Sequence, residues 1–118
     1  MEITIIKDQL TPIIVICGSI NHHLIGQIEI VCLESEAECA IINLNINPQF
    51  RGHGYGSQLL QQVQKYVLTN HPHIQILTLD DCSDHFHQDD NIYIKMGFRY
   101  VTDGFPEMVN SFIEMLNL

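Results

Sequence analysis

Alternating glycines form the most distinctive segment of this sequence. They lie within residues 48–57, between an apolar alternating run and an amphipathic one, at Gly52, Gly54 and Gly56. Glycine has no Cβ, so the backbone of such a turn can approach a ligand closely. The first N–H groups of a helix have no partner within the helix, and the helix dipole favours an anion there. The spacing therefore predicts a phosphate-binding turn at a helix N-terminus.

Two better-known phosphate-binding motifs are excluded. The segment has no Gly-Lys-Ser/Thr, so it is not a P-loop, and its spacing does not fit the dinucleotide pattern Gly-x-Gly-x-x-Gly. From the glycines alone, a turn that binds no ligand stays an equal alternative.

The residues before the turn predict an antiparallel meander of four strands, because they form β-branched or alternating runs separated by short polar connections. The runs are Ile3–Lys7, Ile13–Ile20, Leu24–Leu33 and Glu38–Ile46. The fourth run is typical of a half-buried strand, since alternate positions are apolar: Ala40, Ile42, Leu44 and Ile46.

After the turn the apolar period becomes that of a helix. A helix is predicted over Gly54–Asn70, and Pro72 stops it. Its apolar residues fall on one face, at Leu59, Leu60, Val63, Tyr66 and Val67. Ile74–Leu79 is a predicted fifth strand, and a strand–helix–strand passage of this length implies one parallel pairing.

The last third of the chain predicts a short second helix and two strands. Asp89 and Asp90 suit the first turn of a helix that ends near Met96, with Gly97 at its C′ position. The strands are predicted over Phe98–Val101 and Phe112–Leu118, separated by a polar loop. The sequence thus predicts an α+β fold with two helices, in a single domain over residues 1–118, which is a usual domain length.

Acidic residues outnumber basic ones, 14 to 5, and the net charge is −9. Nucleic-acid binding needs clustered Lys and Arg and is not expected, whereas cationic ligands such as amines are favoured. No apolar run approaches the ~20 residues of a membrane span, and the N-terminus lacks the layout of a signal peptide. We therefore expect no membrane association and a cytoplasmic location.

The four cysteines are scattered and form no Cys-x-x-Cys motif: Cys17, Cys32, Cys39 and Cys82. This favours buried, reduced thiols in an intracellular protein over disulfides.

Paired histidines raise the question of a metal. His85 and His87 lie beside Asp84, and all three are residue types that bind zinc. A structural zinc site usually needs four fixed ligands, and no cysteine pair supplies the others. No metal is therefore expected.

Two sequence motifs follow each other along the chain with one predicted strand between them. The run Leu44-x-Ile46-x-Pro48 leads into Arg51-x-x-Gly54-x-Gly56, and residues 93–98 read Tyr-Ile-Lys-Met-Gly-Phe. The first resembles motif A of the GNAT superfamily of acyl-CoA-dependent N-acyltransferases, Gln/Arg-x-x-Gly-x-Gly/Ala. The second resembles that family's Tyr-Glu-Lys-Leu-Gly-Phe signature. One predicted strand separates them, as in the family, and the resemblance extends from about Ile13 to the C-terminus.

The resemblance implies a mixed, mostly antiparallel seven-stranded sheet whose fourth and fifth strands splay apart around the pantetheine arm of CoA. It implies transfer of an acetyl group from acetyl-CoA to a primary amine, on a small amine, a polyamine or a protein, in a ternary complex. The backbone of Asn45 and Ile46 would bond the pantetheine amides. The pyrophosphate would be held by the N–H groups of Arg51, Gly52, His53, Gly54, Tyr55, Gly56 and Ser57.

The resemblance also suggests catalytic residues. Tyr93 occupies the place of the family's general acid, and a phenol with a pKa of ~10 can protonate the departing thiolate. A tyrosine packed between helix and sheet is the alternative. Two acidic residues are candidates for the base. Glu38 lies as far before Arg51 as a base glutamate does in one branch of the family, and Asp81 lies as far before Tyr93 as a glutamate does in another branch. A solvated strand end is the alternative for both.

The chain departs from the family in three places. Only Asp8–Pro12 separate the first two strands, where the family usually has two helices that wall the acceptor site. The acceptor side is then open, or a second subunit completes it in a homodimer; a non-catalytic acyl-CoA-binding or interaction module is the alternative function. Phe86 stands where the family often has an asparagine against CoA. Residues 80–84 are unusually acidic. They could bind a cationic acceptor, and a solvated loop is an equal alternative.

Overall fold

The computed structural model describes residues 1–81, 91–102 and 104–111. Its helices and strands follow in chain order: β1 (Glu2–Lys7), β2 (Ile13–Ile20), β3 (His23–Leu33), β4 (Glu38–Ile46), α1 (Tyr55–Asn70), β5 (Ile76–Asp80), α2 (Ile92–Lys95), β6 (Arg99–Tyr100) and β7 (Glu107–Ser111). The strands described form one seven-stranded sheet in the order β1-β2-β3-β4-β5-β7-β6. The predicted mixed sheet with two helices is thereby confirmed.

The sheet is antiparallel except at its centre. β1 to β4 pair in sequence as the predicted meander, and β5 and β6 each pair antiparallel with β7. Between β4 and β5 the pairing is parallel, because α1 carries the chain back across the sheet. The predicted crossover is confirmed.

Helix α1 packs on one face of the sheet. The apolar face predicted for it is buried against residues of β2, β3 and β5 such as Ile16, Ile28 and Leu77, which have no exposed surface. Burial of one such side chain stabilises the fold by about 1.5–3 kcal/mol. This contact holds the N-terminal end of α1 at the end of β4.

A β-bulge in β4 changes which residues face α1. Glu29 of β3 pairs with Asn43 and Ile30 with Ile41, so Ile42 is an extra residue on β4 and is 51% exposed. Before the bulge the core residues are Cys39 and Ile41, so the prediction of half-buried apolar positions at 40 and 42 was wrong in phase. After it, Leu44 and Ile46 pack against the core, as predicted. The inserted residue bends the strand and increases its twist.

The last strand that the structure describes lies in a segment for which a loop was predicted. Residues 107–111 form β7 where a loop was expected, and the strand predicted over Phe112–Leu118 lies outside the described residues. Met108 and Asn110 alternate as buried positions of β7. The amide of Asn110 donates a hydrogen bond of 3.0 Å to the carbonyl of Met96, so a polar residue fills a buried position and hides the apolar alternation.

Helix α2 is shorter than predicted. Asp89 and Asp90, expected in its first turn, lie outside the described residues, and the N-cap is Asn91. Its side-chain oxygen accepts a hydrogen bond of 2.7 Å from the backbone N–H of Tyr93. Gly97 follows with a φ of 96°, as predicted for the C′ position.

Residues 8–12 alone connect β1 to β2.

In the part of the chain that the structure describes, the helices are too short or too polar to cross a membrane.

Candidate functional site

A cleft opens at the point where β4 and β5 separate. Their pairing ends at Ile41 and Leu79, and β4 continues to Ile46 while β5 ends at Asp80. The resulting cavity has a volume of about 760 Å³. It is lined by residues 40–44 of β4, by Thr78, Leu79 and Asp80 of β5, and by Tyr93 and Glu107. An extended ligand in such a gap can bond to the strand edge as an added strand would.

A second cavity, of about 330 Å³, lies at the N-terminus of α1, next to the far end of β4. Its lining includes Ile46, the glycine turn and the first residues of α1. The N–H groups of Tyr55, Gly56 and Ser57 belong to the first helical turn and so have no partner within the helix. Asn45 and Ile46 therefore connect the cleft to this anion-binding helix end along one strand.

The glycines of the turn serve two different purposes. Gly52 and Gly54 have φ angles of 80° and 81°, and a Cβ at either would meet nothing within 4 Å, so the space beside them is open to a ligand. A Cβ on Gly56 would lie 2.8 Å from Cδ1 of Ile92. Gly56 therefore allows α1 to approach α2, which the spacing of the glycines alone did not indicate.

Two basic side chains line the second cavity, Arg51 and Lys95. They are two of the five basic residues in a chain of net charge −9, so positive charge is concentrated at the helix end. The Nε of Arg51 donates a hydrogen bond of 2.9 Å to the carbonyl of Ile46, which fixes the turn against β4. Lys95 was not singled out from the sequence, although its place within the tyrosine motif and the scarcity of basic residues were both visible there.

His53 turns back onto the turn rather than toward the cavity. Its Nδ1 lies 2.8 Å from the carbonyl oxygen of Arg51 and 3.1 Å from that of Phe50. Its ring stacks on Tyr55 at a centroid distance of 6.0 Å. Only the backbone N–H of His53 was expected to bind the pyrophosphate, and this orientation of the side chain is compatible with that expectation.

Tyr93 lies on α2 and lines the cleft. Its ring packs edge-on against Phe98 at 6.1 Å, and its carbonyl accepts a hydrogen bond of 2.9 Å from the Phe98 N–H. Tyr93 is thus held between helix and sheet and also faces the cavity, a position compatible with both of the roles considered for it from the sequence.

The two carboxylates predicted as bases are not among the residues that line the cleft. Glu38 lies at the paired end of β4, two residues before the lining begins at Ala40. Asp81 is only 2% exposed, and its Oδ2 accepts hydrogen bonds from Asn91 at 2.7 Å and from the Tyr100 hydroxyl at 2.6 Å.

The carboxylates that do line the cleft, among the described residues, are Asp80 and Glu107. Asp80 adjoins the predicted Asp81, but successive residues at a strand end point to opposite faces of the sheet. Glu107 lies in the strand that was predicted as a loop. The alternation of side chains along β5 could have identified Asp80 as a cleft residue from the sequence. Glu107 could be identified only once the position of β7 in the sheet was known.

A pair of thiols lies at the opposite end of β4. Cys32 and Cys39 are cross-strand partners whose sulfur atoms share a hydrogen bond of 3.8 Å; both are free thiols, Cys39 buried and Cys32 half-buried. This hydrogen bond, with Cys39 as donor to the ionised Cys32, lowers the pKa of Cys32 to about 7. The same bond and burial raise the pKa of Cys39. Cys32 is thus the more acidic thiol of the two.

Several predicted features lie outside the described residues: Cys82, Asp84, His85, Phe86 and His87. Within the residues that are described, no three histidine, cysteine or acidic side chains are grouped so as to hold a metal ion.

A family model described as an acetyltransferase (GNAT) domain matches residues 12–100 of this chain. The match includes both the glycine turn and the segment that carries Tyr93. No curated protein sequence matches the chain at a significant level.

Solved structures of acetyltransferases have the same fold. Mutant forms of the spermidine/spermine N-acetyltransferase SpeG from Vibrio cholerae superpose with a TM-score of 0.74 and 15% identity, over 92% of this chain and 72% of that one. A GNAT-family acetyltransferase from Staphylococcus aureus gives 0.69 and 18% identity, over 85% and 68%. The PaiA N-acetyltransferase from Thermoplasma acidophilum, solved in complex with coenzyme A, gives 0.66 and 21%, over 86% and 62%. The chain thus spans less than two thirds of the Thermoplasma protein, and the likeness is one of fold.

Proposed function

This chain belongs to the GNAT acetyltransferase family, and from that membership we propose that it transfers an acetyl group from acetyl-CoA to a primary amine. The observation that carries the proposal is the continuity of the site. The cleft that contains Tyr93 leads along β4 to a helix N-terminus with two basic side chains. A long donor with a reactive end and an anionic end fits this arrangement.

The anionic end of CoA is assigned to the turn at α1. Gly52 and Gly54 leave open space beside the backbone, and the first N–H groups of α1 point out of the helix. Arg51 and Lys95 add positive charge there. The pantetheine arm is assigned to the separated edge of β4 near Asn45 and Ile46, where β5 no longer pairs.

The reaction requires three proton movements at the cleft, two from the nitrogen and one to the sulfur. An amine is cationic at neutral pH and must lose a proton before its nitrogen can attack the thioester carbonyl. As the C–N bond forms and the C–S bond breaks, the sulfur leaves as a thiolate. Tyr93 gives its hydroxyl proton to that thiolate, whose free pKa is ~8.5. The nitrogen loses its second proton as the amide forms, and that proton passes through solvent and restores the Tyr93 hydroxyl.

We assign the ammonium of the acceptor to Asp80 and Glu107, because they are the carboxylates that line the cleft with Tyr93. One of them takes the ammonium proton. Glu38 lies on the same face of β4 as Ala40, and its substitution tests a route in which it takes the proton through water. The fold shared with a spermidine/spermine N-acetyltransferase supports a cationic amine as acceptor.

Isothermal calorimetry with acetyl-CoA tests the binding half of the proposal, and saturable binding at tens of micromolar or tighter is expected. Release of free CoA thiol is then followed with polyamines, amino acids and lysine peptides. Turnover above the hydrolysis blank with one amine class confirms transfer. Absence of acetyl-CoA binding contradicts the proposal.

A non-catalytic acyl-CoA-binding module is the second candidate, and the short connection over residues 8–12 favours it because it holds no helix where the family usually has two that wall the acceptor site. Such a module binds acetyl-CoA and releases no thiol with any amine. If a second subunit supplies the wall, turnover per chain instead rises with protein concentration, in step with dimer formation in sedimentation.

A further inference from the structure

We propose that Asp81, acting through Asn91, positions Tyr93 for catalysis and is not itself the base. The proposal rests on the general-acid role proposed above for Tyr93. It concerns a buried group of side chains at the end of β5, beside the cleft rather than in it.

The chain of contacts is direct. Asp81 is 2% exposed and Asn91 is fully buried. Oδ2 of Asp81 accepts a hydrogen bond of 2.7 Å from Nδ2 of Asn91, whose Oδ1 accepts one of 2.7 Å from the N–H of Tyr93. The amide of Asn91 thus has its donor on Asp81 and its acceptor on Tyr93, so its orientation is set at both ends.

Two further hydrogen bonds fix Asp81 itself. The Tyr100 hydroxyl donates a hydrogen bond of 2.6 Å to the same Oδ2, and the backbone N–H of Asp81 donates one of 2.8 Å to the carbonyl of Pro106. The network therefore joins β5, the start of α2 and β6. Buried polar groups are tolerated when they are hydrogen-bonded, and satisfied networks give a rigid local structure.

The position of this network explains why Tyr93 needs it. Helix α2 has four residues, too few to hold its place by its own hydrogen bonds. Its N-cap, and hence the start of the turn that bears Tyr93, is anchored by Asp81. A shift of the reacting hydroxyl by about 1 Å can lower turnover by about 10²-fold.

Paired substitutions of Asp81 separate positioning from base catalysis. Asp81→Asn keeps an oxygen that can accept both hydrogen bonds, so turnover should stay within about 3-fold of the parent, whereas Asp81→Ala should lower it by about 10–100-fold with the KM for acetyl-CoA unchanged. Equal losses in both variants would overturn the proposal in favour of a base. Tyr100→Phe removes the hydroxyl that donates to Asp81 and serves if Asp81→Ala does not fold; it should lower turnover less, in the same direction.

A double-mutant cycle with Tyr93→Phe tests whether the effect passes through that residue. Asp81→Ala should cost nothing further in turnover once the hydroxyl is gone. Multiplied losses contradict the proposal. Val63→Ala, in the buried face of α1, is the control for lost stability, because it removes core volume outside the hydrogen-bond network of Asp81, Asn91 and Tyr100.

Ring NMR signals supply a readout that does not depend on activity. The chain has four tyrosines, and the Tyr93 signal is identified by its loss in Tyr93→Phe. It should shift or broaden in Asp81→Ala and move less in Val63→Ala; a signal that does not move in Asp81→Ala overturns the proposal. If the signal moves but Tyr93→Phe keeps full turnover, the positioning stands and the general-acid role fails.

Discussion

Asp80 of β5 and Glu107 of β7 are direct cross-strand partners, and both line the cleft that contains Tyr93. Both also line a neighbouring cavity of about 340 Å³, together with Phe105, which is 62% exposed. Like charges directly opposite each other destabilise a sheet. A bound cation relieves that repulsion, so the pair is suited to an ammonium group with an apolar stem against Phe105.

Neutralising this pair should weaken use of the amine and slightly stabilise the free protein. Asp80→Asn and Glu107→Gln should each lower kcat/KM for the amine by about 10-fold, and the double variant by more than the product of the two losses, because one carboxylate can partly replace the other. Thermal unfolding should show a gain of about 0.2–1 kcal/mol from the lost repulsion. Glu2→Gln, on exposed β1, is the control for net charge. Unchanged kcat/KM in the double variant would remove the acceptor assignment.

Replacing Tyr93 by phenylalanine removes one hydroxyl and keeps the ring that packs on Phe98. Turnover should fall by about 10²–10³-fold, or about 2.7–4 kcal/mol of barrier, while the Kd for acetyl-CoA stays the same. Steady-state kinetics and calorimetry measure the two quantities separately. Near-full turnover on a verified acceptor contradicts the acid role, and loss of folding shows that packing is its main role.

Two glycines with nearly the same positive φ allow a comparison between the turn at α1 and a turn away from the proposed CoA site. Gly54 and Gly104 have φ angles of 81° and 84°, and an added Cβ meets nothing within 4 Å at either. Valine at either position should therefore destabilise the fold by about 1–2 kcal/mol or more. Only Gly54→Val should also weaken acetyl-CoA binding, because its side chain enters the space assigned to the pyrophosphate. Equal binding by both variants at a temperature where both are folded argues against the assignment.

Lys95 and Lys65 form a matched pair for the charge at the helix end. Both are exposed, but only Lys95 lines the cavity at the start of α1. Lys95→Ala should raise the Kd for CoA by about 5-fold, or about 1 kcal/mol, and lessen its dependence on salt. Lys65→Ala removes the same charge from the side of α1 and should leave binding unchanged. Equal effects of the two would mean that net charge alone matters.

Cys32 should react with iodoacetamide at a rate that rises with pH around a midpoint of about 7, because its pKa is lowered to about 7 by the hydrogen bond with Cys39. Cys39→Ala removes that donor and should move the midpoint up toward the ordinary cysteine value. Since the folded state loses this proton first, Cys32 adds stability that grows as pH rises above 7 and is lost as pH falls through it. Cys17, whose pKa is raised by burial, is the internal reference in peptide mass spectrometry. A Cys32 midpoint equal to that of Cys17 contradicts the interpretation.

Most of the fold could be predicted from the sequence because its signals are local. The meander and α1 follow from alternation and from a helical apolar face, and the crossover follows from their order. The bulge at Ile42 could not be predicted, because an inserted residue leaves the composition of β4 unchanged and only reverses which side chains face α1. In β7, buried Asn110 obtains its partner from Met96, a contact between residues far apart in sequence.

The candidate site divides in the same way. The glycine turn and Tyr93 were identified from short motifs, and the structure places both beside cavities on β4. The acidic residues required the tertiary structure, since the motif comparison favoured Glu38 and Asp81 and the cleft is lined by Asp80 and Glu107. Which face a strand-end carboxylate occupies depends on register, and register is set by the neighbouring strand.

The place of β7 in the sheet has a consequence for synthesis on the ribosome. The contacts of β1 to β4 join neighbouring strands, so they can form while the rest of the chain is still being made. β5 instead lies between β4 and β7, so its outer edge has no strand partner from β7 until residues 107–111 have been translated. An exposed apolar edge, here with Leu77 and Leu79, invites pairing with other chains. The nascent protein is therefore vulnerable to aggregation during the interval in which the cleft beside β5 still lacks the residues of β7.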